Sequence, residues 1–255
     1  MVAVAEKIKP EEKTAEVTLR VFRGDAKGGQ EKEYKVPTVP GMVVLDAVLY
    51  IQAHYDNDLA IRWNCKAAHC GSCSAEVNGK PRLMCQTRMD EFPHQAISVR
   101  PMRAFPVIKD LVTDVSLNYK IAKEIPPFTP NEKAPFTMYE RDVERLYEFH
   151  KCIECFLCQN VCHVIRDHKA PFYGPRQMIK IASLEMHPKD TLNRAEFLKN
   201  KALIGYCNIT KCCTEVCPQE IHITDNAIIP LKERVADEFY DPLRWLARKL
   251  RGKRQ

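Results

Sequence analysis

Residues 152–162 read Cys152-Ile-Glu-Cys155-Phe-Leu-Cys158-Gln-Asn-Val-Cys162. Three thiols follow one another at gaps of two residues, and the fourth comes after a gap of three. Such short gaps let three thiolates of one loop reach three corners of a single iron–sulfur cubane, while the fourth serves a second cluster. That fourth thiol is expected to open a helix leading away from the loop.

The second cluster needs partners, and residues 207–218 supply them: Cys207-Asn-Ile-Thr210-Lys-Cys212-Cys213-Thr-Glu-Val-Cys217-Pro218. On the bacterial-ferredoxin spacing, Cys207, Cys213 and Cys217 fall on cysteine positions and Thr210 falls where another cysteine is expected. Cross-wiring then predicts a [4Fe–4S] cluster on Cys152, Cys155, Cys158 and Cys217. Cys162, Cys207 and Cys213 remain, and three thiolates with a threonine in the fourth place predict [3Fe–4S]. Cys212 is one residue off the template and reads as a spare thiol. The alternative for these runs is zinc or inert buried cysteine, but zinc sites seldom use a triplet followed by Cys-Pro twice.

A third group lies upstream: Cys65-Lys-Ala-Ala-His69-Cys70-Gly71-Ser72-Cys73, with Cys85 after eleven intervening residues. This is the plant-type [2Fe–2S] spacing, Cys-x4-Cys-x2-Cys with a distant fourth ligand. Gly71 lets the backbone wrap closely, so that amide groups can point at the cluster sulfurs. A zinc site is the alternative, usually built from two Cys-x2-Cys knuckles where this loop has one. His69 does not supply the Cys-x-His pair of a Rieske centre and reads as a surface histidine.

Around these loops the chain predicts an α+β protein. Glu16–Phe22 alternates apolar and polar residues as a half-buried strand does. Arg23–Glu31 holds three of the nine glycines and reads as a turn, with Glu33–Pro37 the returning strand. Val43–Tyr55 carries apolar residues at helical spacing. Strand, strand, helix, cysteine loop is the order of a β-grasp domain. Val77-Asn-Gly-Lys80 is a hairpin turn, Arg82–Cys85 and Ala96–Val99 close the sheet, and Pro101–Pro106 ends the domain. Val107–Lys123 shows a helical pattern in Val107, Ile108, Leu111, Val112, Val115 and Leu117. The prolines from Pro126 to Pro135 then exclude a continuous helix and read as a semi-rigid connector. Val143–Phe149, Gln177–Leu184 and Arg194–Leu203 are the helices of a second domain whose loops are held by metal.

This divides the chain into a flexible tail (1–14), a [2Fe–2S] ferredoxin-like domain (15–106), a linker (107–138), a helical bacterial-ferredoxin-like domain with the [4Fe–4S] and [3Fe–4S] clusters (139–241), and a basic tail (242–255). That tail has six basic residues and no acidic one, with Leu243, Leu246 and Leu250 on one helical face beside Trp245. It suits an anionic membrane surface or a membrane partner, or a solvated terminal helix.

Composition narrows the function. Hydrophobic content of 45% is ordinary for a globular protein, and twelve cysteines packed into three clusters without a signal peptide point to thiolate ligands in a reducing compartment. No apolar run reaches the roughly 18–20 residues of a membrane span. A net charge of +6 is too weak to argue for nucleic acid. There is no Gly-x-Gly-x-x-Gly fingerprint and no P-loop, so the electron donor and acceptor must be borrowed. Three clusters without a dinucleotide site make a wire for single electrons.

The order of the three cysteine groups resembles the iron–sulfur subunit of succinate dehydrogenase and fumarate reductase. So do Arg103-Ala-Phe-Pro-Val-Ile-Lys-Asp110-Leu-Val-Thr-Asp114 and Glu140-Arg-Asp-Val-Glu-Arg-Leu-Tyr147, and the likeness covers residues 15 to 235. The resemblance implies a subunit of a succinate:quinone oxidoreductase in the tricarboxylic acid cycle and respiratory chain. Electrons from FAD in a partner flavoprotein would pass through the [2Fe–2S], [4Fe–4S] and [3Fe–4S] clusters to a quinone at a membrane-anchor subunit. It also implies a peripheral place on the cytoplasmic face of a bacterial inner membrane.

The family pattern is broken near the third cluster. Many members have proline where His163 stands, tryptophan at Asp167 and histidine at Asn208, and a basic residue is common at Tyr206. His163, Asp167 and Asn208, together with Arg166 and His168, are expected around a quinone site or a hydrated interface. Fumarate reductase, the same wiring run in reverse, is the nearest alternative reading. More distant are the iron–sulfur subunits of other flavin-linked dehydrogenases, which usually lack a plant-type loop, and a zinc-stabilised nucleic-acid-binding module.

Overall fold

The structure, a computed structural model, describes residues 15–93, 95–131, 135 and 137–242. Two expectations, the flexible tail 1–14 and all but the first residue of the basic tail 242–255, lie outside the described residues. The chain forms two compact units: one of residues up to Val115 together with Ile153–Val161, the other of Ser116–Cys152 and the residues from Cys162 onward.

The first unit is built on a mixed sheet. Strands β1 (Ala15–Asp25) and β2 (Gly28–Thr38) form an antiparallel hairpin paired from Ala15↔Thr38 to Asp25↔Gly28. The expected turn over Arg23–Glu31 is therefore much shorter: only Ala26 and Lys27 link the strands, and the glycines lie in the ladder. Close backbone approach explains Gly24 and Gly29, since a Cβ on Gly29 would fall 2.3 Å from the carbonyl oxygen of Arg23, while Gly28 holds a φ of 133° that a side chain rarely adopts. Strand β3 (Ser74–Val77) pairs antiparallel with β4 (Lys80–Leu83) and with β5 (Ile97–Arg100), which runs parallel to β1. The path is β2-β1-β5-β3-β4. Asn78 and Gly79 make the β3–β4 turn with φ of 47° and 75°, as an Asn-Gly hairpin requires.

The helix Val44–His54 crosses this sheet and buries Val44, Leu45, Ala47, Val48 and Ile51, one face at spacings of three and four. Leu19, Val21, Tyr34, Val36, Ala75, Val77, Ile97 and Val99 are also buried in this core. Every residue of β3 is buried, although Ser74 and Glu76 are polar. Side chains alternate across a strand, so these two point away from Ala75 and Val77. They meet Ile153–Val161 instead, where Ser74 Oγ bonds the Cys155 carbonyl at 2.9 Å and Glu76 accepts from Asn160 at 2.9 Å.

The helix expected over Val107–Lys123 is a correction. Its first half is a hairpin, β6 (Val107–Lys109) and β7 (Val112–Thr113), whose Lys109 pairs with Asp25 at the end of β1. The helix covers only Ser116–Glu124. Asp110 turns the hairpin at φ 48° and is 2% exposed, accepting hydrogen bonds from the Gly24 and Ala60 amides and from Arg23. Those distant donors favour the turn over a helix that the local apolar pattern alone would permit.

The second unit is helical. Its longer helices are Ser116–Glu124, Glu140–His150, Pro175–Glu185, Ala195–Asn200 and Ile229–Phe239, with short ones at His163–Arg166 and Cys212–Glu215. Pro175 opens its helix at the first position after Gly174, where a missing amide hydrogen costs nothing. Leu146, Phe149, Met178, Ile181, Leu198, Ile223 and Leu231 are among its buried apolar residues. Arg194 is wholly buried as well, donating to the Pro126, Pro127 and Leu192 carbonyls and to Asp190. The proline-rich connector has few amides to donate, and Arg194 supplies the donors that hold it.

Candidate metal-cluster sites

All twelve cysteines carry thiols rather than disulfides. In the first unit, Cys65, Cys70, Cys73 and Cys85 come together as two pairs. Cys70 lies in hydrogen-bond reach of Cys65, and Cys73 in reach of Cys85 and in the electrostatic field of Cys70. Left-handed backbone at Lys66, Ala68 and Gly71 folds the loop so that its amides turn inward. The Ala67 and His69 amides point at Cys65 Sγ, at 3.4 and 3.3 Å. Burial pushes the Cys70 thiol up, but hydrogen bonds from Cys65 and Ser72 outweigh it and bring it down to about 6. Burial pushes Cys73 up to about 12. A cationic metal centre would offset that burial, so the donor set fits a two-iron cluster held by two thiolates per iron. His69 is exposed, as expected of a surface histidine.

The loop 152–158 repeats the device, with left-handed Glu154 and Phe156 between the thiols. Cys155 and Cys158 are buried in the first unit. Cys152 and Cys217 belong to the second unit, where each is half-buried.

The thiols expected to hold the three-iron centre lie together in the second unit. Burial raises the Cys162 thiol and pushes Cys213 up to about 11, and each is raised further by neighbouring thiols including Cys207. Amides of Val164 and Ile165 bond the Cys162 sulfur. Left-handed Ile209 and Lys211 shape the second loop. Cys212, which its spacing set aside, is in the same group, close enough to raise both Cys162 and Cys213.

Of the residues expected around a quinone, the fold brings Asn208 and His163 together, with Asn208 Nδ2 2.9 Å from His163 Nε2. The ring of His168 meets His163 edge-on at 5.9 Å. Asp167 forms an ion pair with its neighbour Arg166 at 2.9 Å. Residues without a sequence signal also serve these loops. Thr224 Oγ1 is 3.4 Å from Cys213 Sγ, and Lys232 donates to the Cys207 carbonyl at 2.5 Å. No spacing marks them, because each comes from a separate helical segment.

Two kinds of cysteine loop on two units define an iron–sulfur protein of mixed cluster type. In agreement, residues 18–120 match the model of a 2Fe-2S iron-sulfur cluster binding domain and residues 148–221 that of a 4Fe-4S dicluster domain. Among solved structures, the chain is similar to one in the Mycobacterium smegmatis Sdh1 complex in the apo form. The identity is 56% with a TM-score of 0.88, over 90% of this chain and 99% of that one. It is 29% identical to the succinate dehydrogenase iron-sulfur subunit of Bacillus subtilis over 76% of this chain and 82% of that subunit. An uncharacterized iron-sulfur protein of Methanococcus maripaludis is 31% identical over 82% of this chain, which spans only 42% of that protein's length. The chain belongs to the family of succinate dehydrogenase and fumarate reductase iron–sulfur subunits.

Proposed function

We propose that this chain is the electron-transfer subunit of a succinate:quinone oxidoreductase, working between a flavoprotein that carries FAD and a quinone held with a membrane-anchor subunit. The observation that carries the proposal is the inward-facing set of thiols and amides in its cysteine loops, on a chain 56% identical to one in an Sdh1 complex. When bound, the clusters supply one-electron chemistry. Cys65, Cys70, Cys73 and Cys85 would hold [2Fe–2S]; Cys152, Cys155, Cys158 and Cys217 would hold [4Fe–4S]; Cys162, Cys207 and Cys213 would hold [3Fe–4S].

The chain's own part is to bind, space and shield these centres. Ser74 and Glu76 tie residues 153–161, which carry Cys155 and Cys158, to the strand that follows the first cysteine loop. The path β2-β1-β5-β3-β4 with one helix across it supports a β-grasp plan for the first unit, ahead of a helical ferredoxin-like second unit. The His163–Asn208 pair beside Cys162 and Cys207 is the place we assign to quinone contact, with Asp167 at its margin. Among the described residues no helix is long and apolar enough to cross a membrane. A peripheral position at the cytoplasmic face of a bacterial inner membrane accords with that.

The test is electron paramagnetic resonance with iron and zinc analysis on anaerobically purified protein. Expected are a three-iron signal when oxidised, and [2Fe–2S] and [4Fe–4S] signals on reduction. Succinate should also reduce quinone in the assembled complex. Zinc in place of these signals would overturn the proposal.

A further inference from the structure

The three thiols assigned to the three-iron centre have a fourth companion. Cys212 stands beside Cys213 and lies in the electrostatic field of both Cys162 and Cys213, as Cys207 does. Its Sγ is 3.4 Å from Oγ1 of Thr210. Thr210 occupies the spacing at which a four-iron cubane would take its remaining thiolate. The Cys212 sulfur is therefore one van der Waals contact from the side-chain atom that fills the missing ligand's place. Left-handed Lys211, φ 61°, makes the bend that turns residues 210 and 212 toward each other. A threonine hydroxyl is a poor ligand for soft iron–sulfur chemistry, and a thiolate is a good one. Cys212 is half-buried, so it is neither locked in the apolar core nor turned wholly to solvent.

We infer that Cys212 is a latent fourth ligand, through which the centre on Cys162, Cys207 and Cys213 takes up one ferrous ion and passes from a three-iron to a four-iron cluster. The inference rests on the cluster assignment proposed above. The step balances. One electron from a reductant such as dithionite converts the all-ferric [3Fe–4S]+ core to [3Fe–4S]0. A ferrous ion then occupies the open corner to give [4Fe–4S]2+. The Cys212 sulfur forms the new iron–sulfur bond, and its thiol proton leaves to water. Oxidation with loss of that ferrous ion reverses the change. The last centre before the acceptor would thereby report ferrous iron supply.

The experiment compares wild-type, Cys212→Ser and Thr210→Cys proteins in the assembled complex, purified anaerobically. Each is treated with dithionite and 57Fe-labelled ferrous ion, freed of unbound iron, reoxidised mildly and examined by electron paramagnetic resonance and Mössbauer spectroscopy. In the wild type the three-iron signal should fall by about half or more with one labelled iron retained per chain, reporting as part of a cubane. Cys212→Ser should keep the full signal and retain no label. Thr210→Cys, with a thiol at the template position, should hold a four-iron cluster from the outset and shows what that state looks like. A wild-type signal that persists, or equal uptake by wild type and Cys212→Ser, overturns the inference. If both lack the three-iron signal at purification, the cluster assignment itself fails and takes the inference with it. A signal absent in wild type but present in Cys212→Ser supports it, with the four-iron form as the resting state.

Discussion

Gly71 and Cys155 meet backbone to backbone: a Cβ placed on Gly71 would lie 2.7 Å from the Cα of Cys155. Two cysteine loops far apart in sequence are thus packed without a side chain between them. Ser74 closes the contact, its hydroxyl lying 2.8 Å from the Gly71 carbonyl and 2.9 Å from that of Cys155.

Gly71→Ala should be costly for two reasons. Its φ of 68° is strained for a residue with a Cβ, and the atoms it would strike are backbone, which cannot swing aside. Overpacking and strain of this kind cost about 1–3 kcal/mol each. We expect a lower denaturation midpoint and faster bleaching of the visible cluster absorbance. Ser74→Ala should lose only about 1 kcal/mol. A wild-type midpoint for Gly71→Ala would contradict the close approach.

Glu76 is 1% exposed, accepts from Asn160 Nδ2 at 2.9 Å and pairs with Arg103 Nε at 2.7 Å. Glu76→Leu should destabilise by about 2–4 kcal/mol in urea, since it leaves the buried Asn160 amide without this acceptor. Glu76→Gln keeps one acceptor oxygen and should recover part of the loss. Equal losses in the two variants would show that the hydrogen bond contributes little.

Arg194 holds the connector from inside. Replacing it with leucine removes the donors to Pro126 and Pro127 and leaves Asp190 and Glu185 as buried carboxylates with this partner gone. Breaking a buried ionic group this way costs about 3–5 kcal/mol. Limited proteolysis should then cut near residues 126–131 at a lower protease dose than in wild type. Unchanged protection would mean that the connector does not depend on Arg194.

Ligand substitutions separate the centres. Cys70→Ser should abolish the [2Fe–2S] signal and spare the three-iron signal, while Cys213→Ser should do the reverse. Spectra of the reduced and oxidised proteins decide it, and loss of the same signal in both variants would contradict the assignment.

The element types near the cysteine loops were legible because the loops are short and the apolar periods clear. Val44–His54, the Asn-Gly turn and Glu140–His150 came out close to their expected ranges. The segment from Val107 was not legible: its apolar residues fit a helix as well as a tight hairpin, and distant donors to Asp110, the Gly24 and Ala60 amides and Arg23, favour the hairpin. Nothing local marks Thr224 or Lys232 as neighbours of Cys213 and Cys207, or pairs His163 with Asn208.

By itself the sequence determined which thiols are available and what clusters their spacing suits, since the reach from one ligand to the next is set by a few residues of local chain. Tertiary structure decided the rest. It attached Ile153–Val161 to the first unit through Ser74 and Glu76, buried Arg194 against the prolines and brought Cys212 among three other thiols. Each of these is a contact between residues brought together only when the chain folds, so its energy depends on partners that no local spacing encodes.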